Sequence, residues 1–134
     1  MVMLTNVIDR AVHDTVQSLK RETKRERWRG WVEQGPLHIY VRLTTRHLND
    51  RYYKTLDIAN IQIDPVYQNN GIFGDLLDAL ESESIRDVIF IENILATSSE
   101  NQLRLCAYLK RRGYVYHGSD GGTPCMFKIL VERK

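Results

Sequence analysis

The chain has 134 residues, 43% hydrophobic and 27% charged, which suits one soluble globular domain with enough apolar material for a core. A formal net charge of +2 is too mild to argue by itself for a nucleic-acid partner, although local charge can. Two cysteines, Cys106 and Cys125, make neither a disulfide framework nor a CxxC pair, so no zinc site is expected. Asp9, Arg10, His13 and Asp14 interrupt the apolar amino terminus, which reads as neither signal peptide nor membrane span and places the protein in the cytoplasm.

Leu4, Val7, Ile8, Ala11, Val12, Val16 and Leu19 fall at helical spacing and predict an amphipathic helix over about 2–24, capped by Thr5 or Asn6. Its end opens a basic segment, 20–29, with Lys20, Arg21, Lys24, Arg25, Arg27 and Arg29 against Glu22 and Glu26. The plain reading is a solvated helix end aided by the dipole and i,i+4 pairs. The sharper reading is a contact for an acidic or nucleic-acid partner, with Trp28 and Trp31 interleaved. Strands are expected over 31–33 and 37–43 around a Gln34-Gly35-Pro36 turn, with Leu37, Ile39, Val41 and Leu43 on the buried face. A polar stretch over 44–51 turns at Asn49-Asp50, and 52–63 is the next strand.

A helix follows to about residue 84, with Leu76, Leu77 and Leu80 on one side. Val88, Ile89, Phe90 and Ile91 form an almost continuous apolar run, as in a central strand covered on both faces. After the polar connection 96–101, Leu103, Leu105, Cys106 and Leu109 drive a last helix to Gly113. Short strands over 114–116 and 125–131 flank a turn over 119–124. The order predicts a single α/β or α+β domain over 1–134 with a mixed sheet. The histidines are scattered without ligand spacing, so no metal is assigned.

The stretch 56–77 organises the whole. A β-branched run stops at Pro65, passes through Gln68-Asn69-Asn70-Gly71 and enters a helical pattern. A strand, a polar loop and a helix start in direct succession present backbone N–H groups and a positive dipole end to an anion. Gly71 and Gly74 both fall where a first helical turn is expected. Each costs about 1 kcal/mol there relative to alanine. A ligand that must approach the backbone closely is one reason to keep them, and a harmless Asn-Gly turn is the other.

The run Gln68-Asn69-Asn70-Gly71-Ile72-Phe73 resembles the Gln/Arg-x-x-Gly-x-Gly/Ala signature of the GNAT acetyltransferase superfamily. Phe73 stands where the signature has a small residue, and Gly74 comes one place later. Ile91-Glu92-Asn93-Ile94 and the segment from Arg104 to Gly113-Tyr114 are similar to that family's later strand and helix, and Asn101 to the asparagine that opens the helix. The resemblance covers about 52–131. It implies a GNAT-like mixed, mostly antiparallel sheet with splayed central strands and flanking helices. It also implies transfer of an acetyl group from acetyl-CoA to a primary amine.

By that resemblance, Ile61, Gln62 and Ile63 would bond the pantetheine arm as an added strand. Asn69, Asn70, Gly71, Ile72, Phe73 and Gly74 would give amides to the pyrophosphate, with Gln68 fixing the loop. Asp57 matches the spacing of the family's general base, Glu92 is the other carboxylate beside the splay, and Tyr108 would protonate the leaving thiolate. The bland alternatives are a strand aspartate, a structural hydrogen bond and a packing aromatic. The acceptor is a small molecule or a protein carrying an amine. Rival readings are an effector- or toxin-like acetyltransferase acting on protein or RNA through 20–29, and a CoA-binding module without activity. A monomer or homodimer, with no membrane partner, completes the expectation.

Overall fold

The structure is a computed structural model that describes residues 4–67, 71–92, 99–120 and 123–131. The elements in order are α1 (Leu4–Glu22), β1 (Trp28–Gln34), β2 (Leu37–Leu48) and β3 (Arg51–Ile63). A short 3-10 turn (Pro65–Tyr67) leads to α2 (Ile72–Glu83), β4 (Val88–Ile91), α3 (Ser99–Arg111), β5 (Val115–Asp120) and β6 (Thr123–Ile129). The strands form one sheet in the order β1-β2-β3-β4-β6-β5. Of the neighbouring pairs, β3–β4 is parallel and the others are antiparallel. This is the mixed, mostly antiparallel α+β sheet with flanking helices that the resemblance implies.

Local chemistry accounts for the turns. Gly35 takes φ 57° between β1 and β2, and Asn49 and Asp50 take φ 50° and 65° between β2 and β3. Two successive positive φ values match the twist of a tight hairpin, and Asn and Asp tolerate them better than other side chains. β2 runs to Leu48 rather than stopping at residue 43, because its polar half is a paired strand. Thr44↔Thr55, Thr45↔Lys54 and Arg46↔Tyr53 continue the ladder.

The two faces of the sheet differ. Leu37, Ile39, Val41 and Leu43 of β2, Leu56 and Ile58 of β3, Ile89 and Ile91 of β4 and Met126 of β6 share one core. All three helices contribute to it, through Ile8, Val12 and Leu19 of α1, Leu76, Leu77 and Leu80 of α2, and Cys106 and Leu109 of α3. The period-2 alternation sends the intervening residues to the opposite face. There a second cluster joins Leu48, Tyr53, Val88, Phe90, Cys125 and Phe127. β4 is buried along its whole length because it contributes to both, as expected for a central strand.

Candidate functional site

β3 and β4 run side by side from Thr55↔Val88 to Ile58↔Ile91, and a last bond joins Glu92 N–H to the Ile58 carbonyl at 3.0 Å. β3 then continues to Ile63, held by β2 through Tyr40↔Asn60, Ile39↔Ile61, His38↔Gln62 and Leu37↔Ile63. Among the described residues no strand pairs with Asn60, Ile61 and Gln62 on the β4 side. The described pairing of β3 with β4 thus ends at Ile58 and Glu92. A register shift at Tyr40/Val41 marks the same level on the other side of β3, where a bulge would bend the strand.

The strand leads through the 3-10 turn to the start of α2. Gln68, Asn69 and Asn70 lie outside the described residues. Gly71 is the N-cap of α2, with φ 77° and ψ 10° and no side-chain cap bond. Its left-handed backbone is what favours glycine, since a Cβ there would meet nothing within 4 Å. A glycine cap brings no side-chain oxygen, so the cap itself leaves the N–H groups of Ile72, Phe73 and Gly74 uncovered at the positive end of the helix. The Asp75 N–H closes the first turn on the Gly71 carbonyl at 2.9 Å. Ile72 is buried, and Phe73 is half-buried against the core, so neither side chain stands over the helix end.

Gly74 has a different reason for its small size. A Cβ on Gly74 would stand 2.6 Å from the Tyr108 hydroxyl. This close approach ties α3 to the first turn of α2. Arg112 strengthens the tie by donating to the Tyr108 hydroxyl at 3.3 Å and to Glu81 at 3.1 Å, with a further ion pair to Asp78 at 2.5 Å. Burial works against the Arg112 cation, but the bonds to Asp78 and Glu81 outweigh it and hold the guanidinium firmly protonated. Because the Tyr108 oxygen accepts from Arg112, its own hydrogen is left to donate.

Asp57 and Glu92 are brought together on the opposite, helix-free face. Asp57 is wholly buried. Its Oδ2 accepts from Arg46 Nε at 3.0 Å and Nη2 at 2.8 Å, and its Oδ1 accepts from the Thr55 hydroxyl at 2.7 Å. Arg46 also reaches Glu92 Oε1 at 3.3 Å, and Arg42 bonds Glu92 Oε2. The Arg46 guanidinium lies 3.8 Å from the Phe90 ring centre, a cation–π contact. Desolvation disfavours its charge, yet the Asp57 bond and the charges of Asp57 and Glu92 raise its pKa. A network of two carboxylates and two guanidiniums thus straddles β2, β3 and the end of β4, at the level where their described pairing ends.

The arrangement unites Asp57 with Glu92 on one side of the sheet, and Gly74 with Tyr108 on the other. Asn101 falls in the first turn of α3, and its side chain lies outside the described residues. Sequence reasoning missed Arg42, Arg46 and Arg112. The signal for the first two was the alternation His38, Tyr40, Arg42, Thr44, Arg46, which keeps one polar face through a stretch read as irregular. Asp57 within an apolar run called for a cation on the same face. The basic segment divides: Lys20 pairs with Glu83 at 2.6 Å and Arg25 with Glu22 at 3.6 Å, whereas Arg27 and Arg29 project near and from β1.

No protein-family model and no curated protein sequence matches this chain. Several solved structures are similar in fold. One is a mutant of the toxin AtaT bound to the C-terminus of the antitoxin AtaR and acetyl-CoA. It is 13% identical with a TM-score of 0.48, over 70% of this chain and 58% of that one. Another is the GCN5-related glucosamine N-acetyltransferase region of a fungal multi-domain β-N-acetylglucosaminidase, 11% identical, TM-score 0.40, over 86% of this chain and 16% of that one. A third is a GNAT-family acetyltransferase from Staphylococcus aureus Mu50, 11% identical, TM-score 0.40, over 92% of this chain and 93% of that one. The chain thus spans less than two thirds of each of the first two structures. The functional reading rests on the chain's own strand and helix geometry.

Proposed function

We propose that this chain is an acetyl-CoA-dependent N-acetyltransferase that passes the acetyl group directly to a primary amine. The observation that carries the reading is that β3 runs on past its last described pairing with β4, at Ile58, toward a helix whose cap is the left-handed Gly71. A strand edge with no described partner strand at Asn60 to Gln62, and a helix start whose cap makes no side-chain bond, suit a ligand with an amide-bearing arm and a pyrophosphate. The arm would lie along Ile61, Gln62 and Ile63, and the pyrophosphate over the loop from Gln68 to Asn70 and the amides of Gly71 to Gly74.

In this reading the two carboxylates have separate tasks. Glu92 stands at the last described rung of β3 and β4 with its side chain 10% exposed, and it takes the proton of the attacking amine, directly or through water. Asp57, wholly buried, holds Arg46, which in turn holds Glu92; it is a positioning residue. Tyr108 supplies a proton to the departing thiolate. The acceptor is an amine on a small molecule or a protein. Engagement of both carboxylates by arginines favours a second reading, a CoA-binding module that does not turn over.

A thermal melt with acetyl-CoA tests the first step. Ligand at about 100 times its dissociation constant adds roughly 2.7 kcal/mol of stability. The shift is expected in the unaltered chain and lost in Gly71→Glu, whose carboxylate would occupy the anion position. No shift, or the same shift in the variant, removes the reading. Release of free thiol over a panel of amines then separates enzyme from module. In the enzyme, Glu92→Gln lowers turnover by about 10²- to 10⁴-fold with the acetyl-CoA shift retained.

A further inference from the structure

Independently of acetyl transfer, the β1–β2 hairpin carries a cationic and aromatic surface that borders the site above at Arg42 and extends away from it through Arg29 and Trp31. Arg27, Trp28, Arg29, Arg42, Leu43 and Thr44 line an open groove of about 400 Å³, and no carboxylate lines it. Arg29 stands directly across from Arg42 in the ladder. Like charges in that relation destabilise a sheet unless something answers them. Arg42 gives one nitrogen to Glu92 and stays 41% exposed. Arg27 and Arg29 are exposed and have no acidic partner among the described residues.

One step along the same face, about 7 Å at the ordinary strand rise, Trp31 is paired with Tyr40. Trp31 is 44% exposed, and the two rings meet edge to face with centroids 5.5 Å apart. Arg42 joins the two rows, its guanidinium 5.8 Å from the Tyr40 ring centre. We propose that this face binds single-stranded nucleic acid, with Arg27, Arg29 and Arg42 on phosphates and the Trp31–Tyr40 pair as a stacking surface for bases. An acidic peptide would answer the arginines but leave the exposed tryptophan without a partner. A sheet face that sets cations beside an exposed tryptophan and a half-buried tyrosine instead matches a single strand, whose unstacked bases offer a π-face at every residue.

The test is anisotropy of a fluorescein-labelled single-stranded RNA of twelve nucleotides and mixed sequence, titrated with the full chain at several salt concentrations. Binding is expected at about 50 mM salt, where phosphate contacts are strong. The double variant Arg27→Gln/Arg29→Gln should weaken it and reduce the slope of log K against log salt by about 1.4, two single-strand phosphate contacts at about 0.7 each. Trp31→Ala should weaken binding by between about 5- and 150-fold with little change in slope, the signature of lost stacking. Arg27→Lys/Arg29→Lys keeps the charge and should keep the slope, which guards against a general folding defect. Three results each overturn the proposal: no binding at low salt, binding indifferent to these changes, or equal competition by polyglutamate of matched charge. Equal affinity for a duplex of the same sequence overturns it as well.

Discussion

A Cβ on Gly74 would stand 2.6 Å from the Tyr108 hydroxyl and 3.8 Å from the ring carbon that bears it. Alanine in place of glycine within a helix ordinarily stabilises by about 1 kcal/mol. Here the sign reverses, because the hydroxyl is held by Arg112 and cannot swing away without loss. Gly74→Ala is expected to lower the melting temperature, and Tyr108→Phe/Gly74→Ala to recover it, leaving only an ordinary contact. Coupling of at least about 0.5 kcal/mol in this double-mutant cycle is the expected reading, and additivity would refute it. The same residues show why a glycine pair resists interpretation from sequence. Gly71 answers to its own backbone conformation, whereas Gly74 answers to a side chain 34 positions away along the chain.

At the level of elements, β3 beyond Ile58 is held on the β2 side, and no described strand pairs with it on the other at Asn60 to Gln62. Asn60, Ile61 and Gln62 are bonded in register to β2, so the strand keeps its extended form. The Arg42–Glu92 and Arg46–Asp57 pairs fasten the end of β4 to β2 and β3 at the level where the described pairing ends. A preformed edge of this kind reduces the ordering cost of a ligand that adds to it. Amide hydrogen exchange across residues 60–62 should therefore slow when acetyl-CoA is added, with little change in β1. Uniform protection over the chain, or none at 60–62, would detach this edge from ligand binding.

Over the molecule as a whole, a polar cluster links α2, α3, β6 and the segment before β5. Glu81 accepts from Arg112 at 3.1 Å, from the Tyr114 hydroxyl at 3.2 Å and from Lys128 at 2.8 Å. Burial first, then the Glu81 charge, raises the Tyr114 pKa well above its ordinary 10.0. The folded chain then keeps a proton that the unfolded chain loses above about pH 10, so this contribution is fully present below that value and declines as pH rises beyond it. The decline approaches about 1.4 kcal/mol per pH unit for one proton. Stability of Tyr114→Phe, followed by denaturant from pH 8 to 11 (about the range where tyrosine titrates), should lack this component of the slope. Parallel curves for the two proteins would disprove it. The amphipathic period of α1, the apolar run of β4, the Asn49-Asp50 turn and the strand–loop–helix order around Gly71 were all legible in the residues, because each depends on local periodicity or backbone preference. The strand character of the polar stretch after Leu43 was not, since its partner residues lie on β3 and become neighbours only when the hairpin closes. The pairing of Asp57 with Arg46, the hold of Arg42 on Glu92, and the alignment of Arg29 with Arg42 beside Trp31 and Tyr40 were decided by the tertiary structure alone. Strand register and helix packing choose among side chains that look alike along the chain, and that choice assigns each arginine either to a buried carboxylate or to solvent.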